Sequence, residues 1–206
     1  MIIESNTKNS RNLREQFNFT EVIKFVVKKL QSTRFSNDFQ IKYWKEEKPP
    51  KEIINELKAI EMRSFPSELR YVDQEYEVLF EQKNALLITI SNQKQEIKAF
   101  LLTYQDFENP SDYYIDTCAS TLKRKGLIKL LITVVYIWAF LNGYKELSVR
   151  RDEFGYDGAP LRDIYVKHGF QEIRHDKDGI YMKLEISKEY ITELFPELTQ
   201  IISGAS

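Results

Sequence analysis

The chain has 206 residues, of which 42% are hydrophobic and 30% are charged, and its formal net charge is −1. This length and composition predict one sizeable globular domain with additional segments, and they exclude a largely disordered chain. A net charge so close to zero argues against a general nucleic-acid binder, because such proteins carry a surplus of lysine and arginine.

Cysteine and histidine are too few to build a disulfide framework or a metal site. Cys118 is the one cysteine, and His168 and His175 have no cysteine or paired carboxylate at the spacing of metal ligands. We expect Cys118 to act as a small apolar side chain within a strand, with a nucleophilic role as the less favoured alternative.

Residues 1–37 form a basic amino-terminal arm, in which seven basic and three acidic side chains give a charge of +4. Apolar residues follow helical spacing within it, at Val22, Ile23, Val26, Val27 and Leu30. This helix is expected to pack on the domain or on a second subunit, as in a homodimer. Contact with another partner or with an anionic membrane is the alternative.

No segment of the sequence has the pattern of a membrane span or a secretory signal. The most apolar run, residues 130–141, is too short to cross a bilayer, which needs about 18 residues or more. Polar residues follow the first three positions at once, unlike the apolar core of a signal peptide. We therefore expect a cytoplasmic protein without a transmembrane segment.

Periodicity and turn residues predict an α/β domain over residues 38–186, followed by a helical tail over 187–206 that Pro196 divides. Strands are predicted at 39–44, 86–90, 97–104, 113–122, 147–150, 170–173 and 180–186. Helices are predicted at 50–65, 73–83 with Asp73 as the cap, 127–141 and 161–168. A sheet of about seven strands with helices on both faces is an ordinary layered arrangement for such a pattern.

A short cationic turn connects the strand at 113–122 to the long apolar helix. Its three basic residues, Lys123, Arg124 and Lys125, precede Gly126 and the helix start at Leu127 and Ile128. The first N–H groups of a helix lack intrahelical partners and attract anions, and lysine and arginine pair with phosphate oxygens. The turn is therefore a candidate site for a phosphorylated ligand, although a basic surface turn is the simpler interpretation.

Three segments together resemble the GNAT superfamily of N-acetyltransferases. The turn resembles the acetyl-CoA loop of that superfamily: Lys123 and Gly126 fit its pattern, and Ile128 replaces the second small residue, a glycine or alanine. The segment 161–170 resembles the helix that carries a tyrosine four residues before a Gly-Phe pair, and Ser64-Phe65-Pro66 resembles the end of the first helix. The resemblance covers roughly residues 38–186 and implies a mixed, mostly antiparallel sheet.

The resemblance implies an acetyl-CoA-dependent N-acetyltransferase that acts on a primary amine of a small molecule, peptide or protein, by direct transfer in a ternary complex. By the same resemblance, residues 123–128 bind the pyrophosphate of acetyl-CoA and the main-chain N–H of Cys118 polarises the thioester. Tyr165 protonates the departing thiolate. Tyr165 also belongs to an apolar helical stripe, so a purely structural role is the alternative.

A carboxylate usually deprotonates the amine in this superfamily, and Asp116 is the first choice here, with Asp112 second. Strict alternation along the strand places Asp112, Tyr114, Asp116 and Cys118 on one face of the sheet. In the alternative interpretation, Asp116 only accepts hydrogen bonds from a neighbouring loop.

The connection at 151–158 is longer than in most members and lacks their asparagine. Its aromatic residues, Phe154 and Tyr156, are candidates to line an acceptor pocket, and Asp152, Glu153 and Asp157 are candidates to attract a cationic amine. Two other functions remain open. One is a non-catalytic binding protein of the same fold whose coenzyme A site is closed by Ile128, and the other is a transferase for a longer acyl-CoA.

Overall fold

The computed structural model describes residues 28, 39–123, 125–151, 161–177 and 179–194. The predicted arm (apart from Lys28), Arg124, the acceptor-loop residues 152–158 and the tail beyond residue 194 lie outside these ranges. The described residues form a seven-stranded sheet with helices on both faces. The fold class predicted from the sequence is therefore confirmed.

The strands agree closely with the predicted ones. They are β1 (Phe39–Lys45), β2 (Leu86–Asn92), β3 (Ile97–Gln105), β4 (Asp112–Ser120), β5 (Glu146–Arg151), β6 (Gln171–Asp176) and β7 (Gly179–Glu185). The sheet order is β1-β2-β3-β4-β5-β7-β6. Only β4 and β5 pair in parallel; the other neighbours are antiparallel.

The helices are α1 (Lys51–Ser64), α2 (Asp73–Phe80), α3 (Leu127–Leu141), α4 (Leu161–Val166) and α5 (Lys188–Leu194), with a short 3₁₀ turn at Ser67–Leu69. Pro50, with φ near −51°, precedes α1, because its ring suits the entry to a helix. Gly143, with a φ of 78°, follows α3 in the left-handed conformation that ends helices.

The second helix differs from its prediction in length and in capping. It ends at Phe80 and not near Lys83, and Asp73 is its first residue and not its cap. The cap position belongs to Val72, whose main-chain N–H donates to Glu75 Oε2 at 2.8 Å. Val72 has no polar side-chain atom. The capping contact is therefore made by the Glu75 carboxylate, which accepts the main-chain N–H of Val72.

Each face of the sheet carries a separate hydrophobic cluster. One cluster joins the apolar helix α3 to residues such as Ile88, Leu101 and Tyr165. The other joins α1 and α2 to Leu87, Phe100 and Leu102. Adjacent residues of β2 and β3 thus point into different clusters, as the alternation of side chains along a strand requires. Within the described ranges, every helix is too short or too polar to cross a lipid bilayer.

Two irregularities of β4 position the candidate site. Its pairing with β5 extends from Asp112 and Glu146 to Ile115 and Val149 and then stops, so the two parallel strands separate. Its pairing with β3 also shifts, because Leu102 faces Thr117 while Thr103 faces Ile115. Asp116 is the extra residue of this β-bulge, which bends the strand and re-aims its side chains.

Candidate active site

A guanidinium group lies where β4 and β5 separate. Arg151, the last residue of β5, donates from Nη1 to the main-chain oxygen of Asp116 at 2.7 Å and from Nε to the hydroxyl of Tyr165 at 2.9 Å. A single arginine therefore contacts both residues to which the sequence assigns proton-transfer roles. From the sequence alone, Arg151 falls in the following loop and has no predicted role.

Tyr165 points from α4 into this junction. Its side chain is 2% exposed, and its ring packs edge-on against Phe170 with centroids 5.3 Å apart. Gly169, with a φ of 87°, closes the helix and turns the chain so that Phe170 reaches that position. The apolar stripe predicted for α4 includes Ile164 as well as Tyr165. Ile164 is 38% exposed, so the prediction that the stripe faces the core is only partly correct.

The Tyr165 hydroxyl has a second neighbour, the sulfur of Cys118, at 3.2 Å. Burial raises the pKa of Tyr165, while the Arg151 guanidinium opposes that rise and the Cys118 thiol adds to it. Tyr165 is therefore protonated at neutral pH and able to donate. Cys118 is half-buried against the α3 cluster, as expected of a small apolar side chain in a strand.

Asp116 lies among phenol groups. Tyr71 donates its hydroxyl to Oδ2 at 2.7 Å, and Tyr104 donates its own to Oδ1 at 2.9 Å. Burial raises the pKa of the Asp116 carboxyl above its ordinary range, and the two phenols and Arg151 oppose that rise. Tyr71 belongs to the loop between α1 and α2, so the loop contact foreseen as an alternative role for Asp116 is present. The two phenols leave a free lone pair on each carboxylate oxygen, because a carboxylate accepts about four hydrogen bonds.

The bulge separates residues that strict alternation would place together. The Asp116 carboxylate contacts Tyr71 and Tyr104, which pack on the α1 and α2 cluster, whereas Cys118 packs on the α3 cluster. The prediction that both side chains share one face is therefore wrong. One strand instead sends a carboxylate to one face and a thiol to the other.

Asp112, the second choice for a base, lies at the opposite end of β4. It is 1% exposed and forms an ion pair with Lys183 at 2.7 Å. Asn109 donates to the same carboxylate oxygen at 3.0 Å, and Ser111 donates to the other at 3.1 Å. These contacts join β4 to β7 and the preceding loop, so Asp112 is part of the framework and not of the junction.

Glu61, a buried carboxylate of α1 that the sequence analysis missed, lies behind Tyr71. Glu61 is 1% exposed, and its Oε2 accepts the main-chain N–H of Tyr71 at 3.3 Å. Within the described residues, its Oε1 and the hydroxyl of Tyr76 have no hydrogen-bond partner. Burial raises the pKa of Glu61 from 4.5 to about 7, and the negative charge of Asp116 contributes to the rise. The sequence does indicate that Glu61 is buried, because Glu61 lies at helical spacing from the buried residues Ile54 and Leu57.

The amino terminus of α3 has the backbone expected of an anion-binding turn. Gly126 has a φ of 73°, and a β-carbon added there would meet no atom within 4 Å. The first intrahelical bond joins the Leu130 N–H to the Gly126 oxygen at 3.1 Å. The N–H groups of residues 127 to 129 precede that bond, so none has an acceptor within the helix. Lys123 and Lys125 are exposed beside this turn.

The side chains at this turn are compatible with a phosphate group. Ile128 is half-buried and packs against the α3 cluster, and Leu127 is fully buried there. The β-branched residue that replaces a small one in the superfamily pattern is thus anchored in the core. Open space around Gly126 remains next to the helix N–H groups.

Comparison with known proteins gives matches in structure and none in sequence. No protein-family model matches the chain, and no curated protein matches it. A ribosomal-protein-S18-alanine N-acetyltransferase from Escherichia coli superposes with a TM-score of 0.54 at 17% identity, covering 72% of this chain and 95% of that one. Aminoglycoside 6′-acetyltransferase type Ii gives 0.59 at 14% identity, covering 72% and 97%.

A third solved structure, a GNAT family N-acetyltransferase from Escherichia coli in complex with CoA, gives a TM-score of 0.54 at 11% identity, with 75% of this chain and 84% of that one covered. Identities this low establish a shared fold and leave activity open. The predicted resemblance is confirmed at that level: the chain has the fold of the GNAT N-acetyltransferases.

Proposed function

We propose that this protein is an acetyl-CoA-dependent N-acetyltransferase that acts on a primary amine by direct transfer, without a covalent enzyme intermediate. One observation carries the proposal. In a GNAT fold, the residues predicted as base and acid belong to the junction of β4 and β5, where Arg151 donates to the main-chain oxygen of Asp116 and to the hydroxyl of Tyr165. The fold alone would not require this coincidence of polar groups.

The residues of the α3 turn are suited to hold acetyl-CoA by its pyrophosphate. The N–H groups of residues 127 to 129 and the positive end of the helix dipole favour an anion, and Lys123, Arg124 and Lys125 add charge. A solved neighbour of the same fold binds CoA, which supports this assignment. When bound, acetyl-CoA supplies an acetyl group activated as a thioester.

Asp116 is proposed as the general base for the amine. A carboxylate is most useful as a base when its pKa lies near the working pH, and burial raises the pKa of Asp116 in that direction. The tyrosine hydroxyls on both oxygens hold it in one orientation. The two named neighbours acetylate an alanine amine of a protein and an aminoglycoside, which supports an amine acceptor without selecting its size.

Tyr165 is proposed as the acid that protonates the leaving thiolate. Its hydroxyl is protonated at neutral pH and lies 3.2 Å from the Cys118 sulfur, so a sulfur atom near that position is within its hydrogen-bond reach. The main-chain N–H of Cys118 is proposed to stabilise the developing negative charge on the carbonyl oxygen. Such a donor is typically worth about 3 kcal/mol.

The test is acetyl-CoA-dependent release of free thiol with a panel of primary amines: polyamines, aminoglycosides, and peptides with a free amino terminus or a lysine. We expect at least one amine to stimulate release in the unmodified protein, and Tyr165→Phe to lower kcat about 100-fold with acetyl-CoA affinity retained. Tyr43→Phe, a change on the exposed part of β1, is the matched control and should have no effect.

The same assay separates the alternatives. Faster release from a longer acyl-CoA than from acetyl-CoA would indicate a different acyltransferase. Binding of CoA with no release from any thioester would indicate a non-catalytic protein of this fold. Unchanged kcat in Tyr165→Phe would remove Tyr165 from the acid role.

A further inference from the structure

The environment of the Tyr165 hydroxyl determines where its proton can go. A phenol oxygen has one O–H donor and two acceptor positions. Arg151 Nε, which can only donate, occupies one acceptor position at 2.9 Å. The phenol proton must therefore point elsewhere, and the Cys118 sulfur at 3.2 Å lies in an available direction. The arginine thus excludes one direction for the phenol proton and leaves the direction of the sulfur open to it.

The position of the guanidinium is fixed by main-chain atoms. Its Nη1 donates to the oxygens of Asp116 at 2.7 Å and Arg150 at 3.0 Å, and its Nη2 donates to the oxygen of Ile115 at 3.4 Å. These carbonyls border the point where the strands separate. The guanidinium carbon also lies 5.6 Å from the centre of the Tyr165 ring. Arg151 therefore cannot move without losing contacts to both strands.

The acceptors of Arg151 are all uncharged. In the part of the chain that the structure describes, Arg151 takes part in no ion pair, and its acceptors are three carbonyl oxygens and one phenol. A half-buried cation whose hydrogen-bond acceptors are all neutral is stabilised when negative charge develops on one of them. The phenol oxygen is the one acceptor of this set that becomes negative on losing a proton.

We infer that Arg151 is a positioning residue for Tyr165: it holds the phenol oxygen with the proton directed toward the departing sulfur and compensates the negative charge that the transfer leaves on that oxygen. This inference rests on the proposed function of Tyr165. It also gives a role to a residue that the superfamily resemblance does not mark.

The step is balanced in protons and electrons. The O–H bond of Tyr165 breaks, an S–H bond forms on the departing thiolate, and the phenolate keeps the electron pair beside the guanidinium. A proton from solvent then restores the hydroxyl before the next turnover. No oxidant or reductant is involved.

Other groups facing the hydroxyl do not provide this compensation. Among the described residues, the Cys118 thiol of β4 contacts the hydroxyl and the Phe170 ring packs against the Tyr165 ring, and neither carries a positive charge. Burial alone raises the pKa of Tyr165, so a phenolate there is unfavourable without a cation. Arg151 is the positively charged group in hydrogen-bond contact with it.

The inference is tested by placing 3,5-difluorotyrosine at position 165, because its phenol ionises at a much lower pH than that of tyrosine. Its ¹⁹F resonance is followed against pH in the free protein, without cofactor or acceptor. We expect Arg151→Gln to move the ionisation midpoint upward by about one pH unit or more, as removal of a cation in contact should do. Arg151→Lys, which keeps the charge, should give a midpoint between the two.

Arg150→Gln is the matched control, since Arg150 is the preceding residue of β5 and its guanidinium lies over Tyr181. It should leave the midpoint unchanged. Equal ionisation midpoints of the difluorotyrosine in Arg151→Gln and in the protein with Arg151 would overturn the inference, provided that circular dichroism shows that the variant is folded.

Steady-state kinetics complete the test. With the natural tyrosine, Arg151→Gln should lower kcat at least tenfold and leave acetyl-CoA affinity within about twofold. An unchanged kcat would also overturn the inference. A shifted ¹⁹F midpoint in a protein with no acetyl transfer would instead contradict the proposed function and leave the pairing of Arg151 with Tyr165 supported.

Discussion

Two aspartates of the same strand have opposite surroundings. Asp112 is paired with Lys183 and receives hydrogen bonds from Asn109 and Ser111. Asp116, four residues along β4, is held by the phenols of Tyr71 and Tyr104 instead. In the described part of the chain, the Asp112 carboxylate has a cation in direct contact, and the Asp116 carboxylate has hydrogen bonds from two phenols.

The difference indicates which carboxylate can take part in chemistry. The Asp112 oxygens already accept hydrogen bonds from Lys183, Asn109 and Ser111, which hold β4 to β7 and to the preceding loop. Asp116 has no cation in such contact among the described residues, and burial raises its pKa, which favours acceptance of a proton. Asp112 therefore belongs to the framework of the fold, and we propose Asp116 as the base.

The largest expected effect is that of Asp116→Asn on turnover. Removing a general base should lower kcat about 100-fold or more. The free energy of unfolding should change less, because the amide oxygen can still accept from one tyrosine and the amide NH2 can donate to the hydroxyl oxygen of the other. Steady-state kinetics with the best amine and thermal unfolding measure the two quantities. The acidic limb of the kcat/KM profile should also lie above the usual aspartate range of about 3.9 and disappear in the variant. A variant with normal turnover would show that the base is another group.

Asp112→Asn should produce the opposite result. Breaking a buried ion pair leaves Lys183 without one of its two carboxylates, so we expect a loss of about 3 kcal/mol in the free energy of unfolding. The folded fraction should keep kcat within a few-fold of the unmodified protein. Urea unfolding and active-site titration check this. A specific loss of turnover without a loss of stability would contradict the division between the two aspartates.

Glu61→Gln extends the comparison to a third buried carboxylate. Like Asp116, Glu61 has no cation in direct contact among the described residues. A carboxyl group with a folded pKa near 7 and an ordinary value of 4.5 favours the folded state fully below pH 4.5, and this contribution is lost as pH rises toward 7. The unmodified protein should therefore lose up to about 3 kcal/mol of unfolding free energy across that range, and the variant should lose less.

Urea unfolding at several pH values measures this difference. Glu52→Gln, an exposed change in the first turn of the same helix, is the control and should retain the full pH dependence. Identical pH profiles for Glu61→Gln and the unmodified protein would show that the Glu61 carboxyl is not shifted.

The smallest expected effect is that of Gly126→Ala at the α3 turn, away from both aspartates. The added methyl group meets no atom, but the left-handed backbone costs a residue with a side chain about 1–2 kcal/mol. We expect weaker acetyl-CoA binding with little change in kcat at saturation. Gly126→Asn, which tolerates this conformation better, should bind more tightly than Gly126→Ala. The reverse order would show that the conformation of Gly126 does not control binding.

The regular elements were largely predictable, and the irregular ones were not. Leu127–Leu141 is observed over the predicted range, because an apolar run lies between Gly126 and Asn142-Gly143, and both boundaries carry chemical signals. The bulge at Asp116 has no such signal. Polar and apolar residues alternate through it without interruption, so periodicity predicted one continuous face.

The missed site residues share a cause. Glu61 and Arg151 contact Tyr71 and Tyr165, which lie 10 and 14 residues away and in other structural elements, so the periodicity of a single helix or strand does not reveal these contacts. The position of Glu61 on the apolar stripe of its helix could have predicted that its carboxylate is buried. Arg151 resembled the beginning of a polar loop, and only the separation of β4 from β5 shows why an arginine ends the strand.

Calorimetric titration of the purified protein with acetyl-CoA tests the central claim most directly. The account predicts one-to-one binding at micromolar concentration, and the loss of that binding in Gly126→Val, whose β-branched side chain is strained at a φ of 73°. No heat of binding at millimolar acetyl-CoA would contradict the assignment of the α3 turn, and with it the proposal that this fold carries out acetyl transfer.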